Sequence, residues 1–158
     1  MIGFKQMATM YFAAGIGGNI FSSCINDEPS VGASTAVFGV LTGQAAMIIV
    51  NWSAFNSYPQ LKQVRCMLLF FVCLMLVFNF LAEVGGPPGV VDVTGHIGGA
   101  IVGLIWGLAF FPRVKTEVSA KMRLAGIVLT IGFFSILILY FFIFRKPKDL
   151  YGDYDESN

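Results

Sequence analysis

Five stretches of this chain contain no Asp, Glu, Lys or Arg and are each close to the length needed to cross a bilayer. They are Gln6 to Asn26, Gly32 to Trp52, Cys66 to Ala82, Val93 to Pro112 and Leu124 to Phe144. A hydrocarbon core of ~30 Å takes ~20 residues of helix. The third run is the shortest, and Val64 to Glu83 extends it to a workable length. Lipid offers no partner for a free backbone N–H or C=O, so such runs must be helices rather than open strands. Hydrophobic residues make up 56% of the chain and charged residues 12%, too few polar groups to coat a soluble domain. The fold class expected is therefore all-α: a polytopic membrane bundle of about five transmembrane helices. A net charge of +1 excludes a basic nucleic-acid binder, and the apolar content excludes a disordered chain.

Turn formers and charges fill the connections: Asp27-Glu28-Pro29-Ser30, Asn56-Ser57-Tyr58-Pro59, Gly85-Gly86-Pro87-Pro88-Gly89, and Arg113 to Arg123. Residues 1–144 read as one membrane domain and residues 145–158 as a polar C-terminal tail. Alternate connections lie on opposite sides of the bilayer. One side carries Lys5, Lys62, Arg65, Arg113, Lys115, Lys121 and Arg123, and the other carries Asp27, Glu28, Glu83 and Asp92. The basic side should be cytoplasmic. Arg145, Lys146 and Lys148 then fall on the far side, against that rule. No cleavable signal peptide is apparent, because the first apolar run is too long and lacks a basic leader.

Polar residues inside a span are costly and call for a reason. His96, the sole histidine, starts the fourth run, and Ser34 starts the second within Gly32-Ala33-Ser34-Thr35-Ala36. Down-up-down threading makes both runs begin on the acidic side at comparable depth, so serine and imidazole can meet. An imidazole that takes the hydroxyl proton turns a weak nucleophile into an acyl-transfer one. A serine at a helix N-terminus also has backbone N–H groups near it to hold an oxyanion. Gly95, Gly99, Gly103 and Gly107 form a small-residue ladder, and Gly32, Ala36, Gly39 and Gly43 form another. Such ladders let helices approach until their backbones nearly touch. Gly99 and Gly103 should place the imidazole near that seam, and Phe38, one turn after Ser34, could stack on it. Cys24, Cys66 and Cys73 read as small core hydrophobes. One histidine and three scattered cysteines lack metal-ligand spacing, so neither metal nor cofactor is expected.

Gly32-Ala33-Ser34-Thr35 with Ala36-Val37-Phe38-Gly39, then Gly95-His96-Ile97-Gly98-Gly99 with Gly103, resemble the two signature helices of the rhomboid intramembrane serine proteases. Gly15-Ile16-Gly17-Gly18-Asn19 is similar to the helix before the family's serine helix. The resemblance covers Met1 to about Phe111. It implies an endopeptidase that cleaves single-pass transmembrane substrates within the bilayer and opens toward the extracellular or lumenal side. Ser34 would be the nucleophile, His96 the base of a dyad, and Phe38 the ring packed on the histidine. Gly32, Ala33 and Thr35 would form the nucleophile and oxyanion turn. Thr35 stands where the family's GxSG motif has its second glycine. The family core has six spans, so this chain implies a partial rhomboid-like fold. By that resemblance the family's two earliest helices would have no counterpart in this sequence, and the second of them brings a His and an Asn to the oxyanion. The fifth run would match an additional C-terminal helix. The alternative is an inactive relative that binds transmembrane clients. A transporter is disfavoured because no run holds paired opposite charges.

Overall fold

A computed structural model of the protein describes residues 3–26, 33–85, 91–112 and 119–144. Helices account for nearly all of them: α1 (Phe4–Ile25), α2 (Ser34–Val50), α3 (Trp52–Ser57), α4 (Pro59–Gly85), α5 (Val93–Phe110) and α6 (Ser119–Phe144). Each of the five apolar runs lies largely within one of the long helices. By length and composition, Pro59–Ala82, Val93–Phe110 and Ala120–Phe144 suffice to cross a membrane, and Ser34–Val50 is a shorter apolar helix. The architecture is an all-helical membrane bundle. The polar tail and most of the loops lie outside the described residues.

Helix α5 is the hub, packed against α1, α2 and α6. The interior around it is filled by Met10 and Ala14 of α1, Ala36, Ala46 and Ile48 of α2, and Val102, Ile105 and Ala109 of α5 itself. Much of the α2–α5 contact is backbone against backbone. A Cβ added at Gly99 would fall on the Thr35 carbonyl, one at Gly103 on the Gly39 carbonyl, and one at Gly107 within 3.2 Å of the Gly43 carbonyl oxygen. The pairs advance together by four residues, so α2 and α5 run parallel and in register. Both begin from the same side, as down-up-down threading requires. Thr42 Oγ1 also donates across the seam to the Ala100 carbonyl at 2.7 Å. Helix α1 closes the junction from the other side, where Gly18 lies against Thr35 and the backbone of Gly95 and Gly99.

Three details differ from the sequence reading. The second connection is partly helical: α3 begins after Asn51, whose carbonyl accepts from Phe55 N–H at 3.1 Å. The Asn51 amide also donates to the Pro112 carbonyl at 3.0 Å, tying the lower ends of α2 and α5 together. Helix α4 starts at Pro59, well before Cys66, and carries Lys62 and Arg65 within its first turns. Its 27 residues span ~40 Å, longer than the hydrocarbon core, so those cations project beyond it. Proline at a helix start costs nothing, since its missing N–H would have had no partner there. Arg65 is held over the Trp52 ring, 4.4 Å from its centroid. Finally, Cys66 and Cys73 are exposed on α4 rather than core residues. Lipid solvates a thiol as well as a protein interior does, so an apolar run does not say which way each residue points. Phe70, Phe71, Phe78, Phe80 and Leu81 on α4, and Ile131, Ile136 and Leu139 on α6, are likewise exposed and suited to lipid.

The start of α5 is secured by a polar cluster. Asp92 is its N-cap, and the carboxylate Oδ1 accepts from Gly95 N–H at 2.8 Å, Ser22 Oγ at 2.7 Å and Thr94 Oγ1 at 2.8 Å. Asn26 Nδ2 donates to Thr94 Oγ1 at 2.6 Å, which fastens the end of α1 to the start of α5. An Asp92→Ala variant is expected to lose ~1–2 kcal/mol of capping. The Ser22 hydroxyl loses its charged acceptor but keeps Thr94 Oγ1 at 3.0 Å as a partner, so little is added to that loss. Asp92→Asn should keep most of this stability, because an amide oxygen still accepts. Thermal unfolding in detergent micelles checks the order wild type, Asn, Ala.

Candidate active site

Ser34 is the first residue of α2, with Ala33 as its N-cap. The helical hydrogen-bond ladder opens with Val37 N–H to the Ala33 carbonyl at 3.1 Å, so the N–H groups of Ser34, Thr35 and Ala36 precede it. The serine is exposed, at the mouth of the bundle. His96 stands in the first turn of α5 and is buried at 7% exposure. Because α2 and α5 start together, the two side chains meet: His96 Nε2 lies 2.8 Å from Ser34 Oγ. The Phe38 ring lies flat on the imidazole, with centroids 4.3 Å apart and planes inclined by 12°. On its other edge, His96 Nδ1 is 2.6 Å from Asn79 Oδ1 of α4. Three helices therefore contribute to one line of hydrogen bonds running Asn79, His96, Ser34.

The remaining residues of the expected site are placed as follows. Gly32 lies outside the described residues. The Thr35 side chain is buried at 2% exposure, with its methyl against Gly18 and Gly99. It packs the α1–α2–α5 junction, so only its backbone faces the nucleophile turn. Gly99 and Gly103 meet the α2 backbone at Thr35 and Gly39. That approach sets the spacing between the helices that carry the serine and the histidine. Asn19 lines a cavity of about 350 Å³ with Ile20, Ser23, Ile138, Phe141 and Phe142, between α1 and α6 and separate from Ser34 and His96.

Sequence reasoning missed Asn79. It is the one strongly polar residue between Cys66 and Ala82, in an otherwise apolar run. The cost of an amide in hydrocarbon was the signal that could have singled it out.

A hydroxyl within hydrogen-bond reach of an imidazole, near backbone N–H groups at a helix start, has the parts for nucleophilic acyl transfer. Comparison with known proteins identifies the family. The Rhomboid domain family matches residues 1–113. RHOMBOID-like protein 5 of Arabidopsis thaliana is 32% identical over 115 residues, covering 70% of this chain and 34% of the relative. RHOMBOID-like protein 4 of the same plant is 35% identical over 70% of this chain and 26% of its own length. Rhomboid-like protease 2 of Toxoplasma gondii is 32% identical over 67% of this chain and 35% of the relative. The chain thus matches about a third, or less, of the length of these relatives. With the family's domain match running through α5, this integral membrane protein belongs to the rhomboid family.

Proposed function

We propose that this chain carries the nucleophile and base of a rhomboid-type serine endopeptidase that cleaves transmembrane segments of single-pass membrane proteins. The observation that carries the reading is the 2.8 Å separation of Ser34 Oγ from His96 Nε2, closed between two parallel helices. In this reading residues 1–144 are the membrane domain and residues 145–158 a polar tail. The charge distribution turns the Ser34 end toward the extracellular or lumenal side.

The placement supports the following reaction. Ser34 Oγ attacks the scissile carbonyl carbon while His96 Nε2 takes the hydroxyl proton. The oxyanion that forms is met by N–H groups in the first turn of α2, including that of Thr35. The imidazolium returns its proton to the departing amine as the C–N bond breaks, leaving an acyl ester on Ser34. Water from the open side then attacks the ester, with His96 again accepting the proton. An intact helix hides its carbonyls in its own hydrogen bonds, so substrates with small or helix-breaking residues near the cut should react best.

The test is cleavage of a single-pass model substrate by the purified full chain in liposomes. Ser34→Ala should reduce the rate by ~10⁴-fold or more, as loss of a nucleophile does elsewhere. Labelling by a serine-reactive phosphonate should vanish in the same variant. Undiminished cleavage by Ser34→Ala would overturn the proposal. A wild type that captures the substrate without cutting it would favour the client-binding alternative.

A further inference from the structure

Helix α4 stands apart from the rest of the bundle in how little of it is buried. Val77, Phe78, Phe80 and Leu81 are each more than half exposed, yet Asn79 among them is 9% exposed. The helix is rotated so that the Asn79 amide points inward, and the amide oxygen sits 2.6 Å from His96 Nδ1. Nothing in the general need to bury apolar surface demands this, since the neighbours of Asn79 are left to lipid.

The partner atom gives the arrangement meaning. A neutral imidazole holds its proton on one nitrogen and a lone pair on the other, and the hydrogen bond made by one nitrogen decides which is which. To take a proton from Ser34, His96 needs its lone pair at Nε2, the nitrogen that faces the hydroxyl. The proton must then be on Nδ1, and an amide oxygen, which only accepts, stabilises it there. The Phe38 ring prevents the imidazole from tipping out of that plane. An amide also suits the location better than a carboxylate would. It accepts the Nδ1 proton without placing an unneutralised charge among apolar side chains, where charge is strongly disfavoured.

We infer that Asn79 is a positioning residue for His96: it holds the imidazole in the Nδ1-protonated tautomer and fixes its plane, making the pair functionally a Ser-His-Asn line. The inference rests on the reading of Ser34 and His96 as nucleophile and base. Asparagine in this orienting place is known chemistry in cysteine hydrolases, where it serves a Cys–His pair.

His96 is the sole histidine, so ¹⁵N-histidine labelling reports on this ring alone. In the wild-type chain, solid-state or micelle NMR should show the directly bonded proton on Nδ1 and none on Nε2. Asn79→Leu, of similar size with no acceptor, should lose that preference and give a mixed population. Asn79→Gln, which restores a neutral acceptor oxygen, should regain part of it. In parallel, the rate of Ser34 labelling by the phosphonate should fall ~10²-fold or more in Asn79→Leu, below the ~10⁴ seen when an orienting group enforces the wrong tautomer. A wild-type ring protonated on Nε2 overturns the inference even if Asn79→Leu does not fold. So does unchanged labelling in a folded Asn79→Leu protein whose wild type is reactive. An unreactive Ser34 in the wild type strikes instead at the functional reading, and the inference falls with it.

Discussion

With His96 as the base of the proposed reaction, its replacement by alanine is expected to lower kcat for a membrane substrate by ~10⁴-fold or more, with little change in KM. The side chain touches Ser34, Asn79 and Phe38, and the Ser34–Asn79 line cannot close without it. Nothing else among the described residues is hydrogen-bonded to the Ser34 hydroxyl as a base would be. The substrate's transmembrane segment would still lie against the same helices, so binding should survive while chemistry fails. The double variant Ser34→Ala with His96→Ala should be no slower than either single one, because a nucleophile and its base act as a unit and their losses do not add. Single-turnover cleavage in liposomes, with unfolding temperatures measured on the same preparations, checks both statements. A His96→Ala protein within tenfold of wild type would mean that another group takes the proton.

The largest structural effect is expected at Gly103. A Cβ there would fall on the Gly39 carbonyl oxygen, with the Gly39 carbonyl carbon 2.5 Å away and its Cα 2.6 Å away. All three atoms are backbone, so no side chain can swing aside. Even a close carbon–oxygen contact needs ~3.3 Å, and α2 and α5 would have to part by an ångström or more. That parting would loosen the Gly99–Thr35 and Gly107–Gly43 contacts and stretch the Thr42–Ala100 bond. Gly103→Val should therefore cost more than ~4 kcal/mol, at the upper end of what a single substitution does. The expected readout is failure to recover monodisperse protein, or a sharply lowered unfolding temperature. Any protein recovered should label poorly at Ser34, since the 2.8 Å Ser34–His96 contact spans the same two helices. Gly132 is the matched control. It lies in α6 with nothing within 4 Å of an added Cβ, and Gly132→Ala should be neutral or stabilise by up to ~1 kcal/mol. A Gly103→Val protein as stable as Gly132→Ala would show that the close seam does not hold the bundle together.

Much of this molecule is written in hydropathy and small-residue spacing. The five apolar runs are long because the bilayer is thick, and their helical state follows because lipid leaves a backbone no other partner. The glycines at 95, 99, 103 and 107 announced a close seam, and the last three meet α2 at successive turns. The limits are equally physical. Helix α3 depends on the Asn51 carbonyl, and a six-residue helix leaves little periodic signal. The roles of Thr35 and Asp92 turned on neighbours distant in the chain: Gly18 and Gly99 for the threonine, Ser22 for the aspartate.

What the sequence by itself determined is that this chain lives in a membrane, where its helices run and which helices can touch. Those properties come from partition into hydrocarbon and from side-chain size, which are local. Only the tertiary structure decided which way each helix faces, because lipid and protein interior are both apolar and hydropathy cannot tell them apart. That rotation sends Cys66 and Cys73 outward and turns Asn79 inward, onto the one imidazole of the chain.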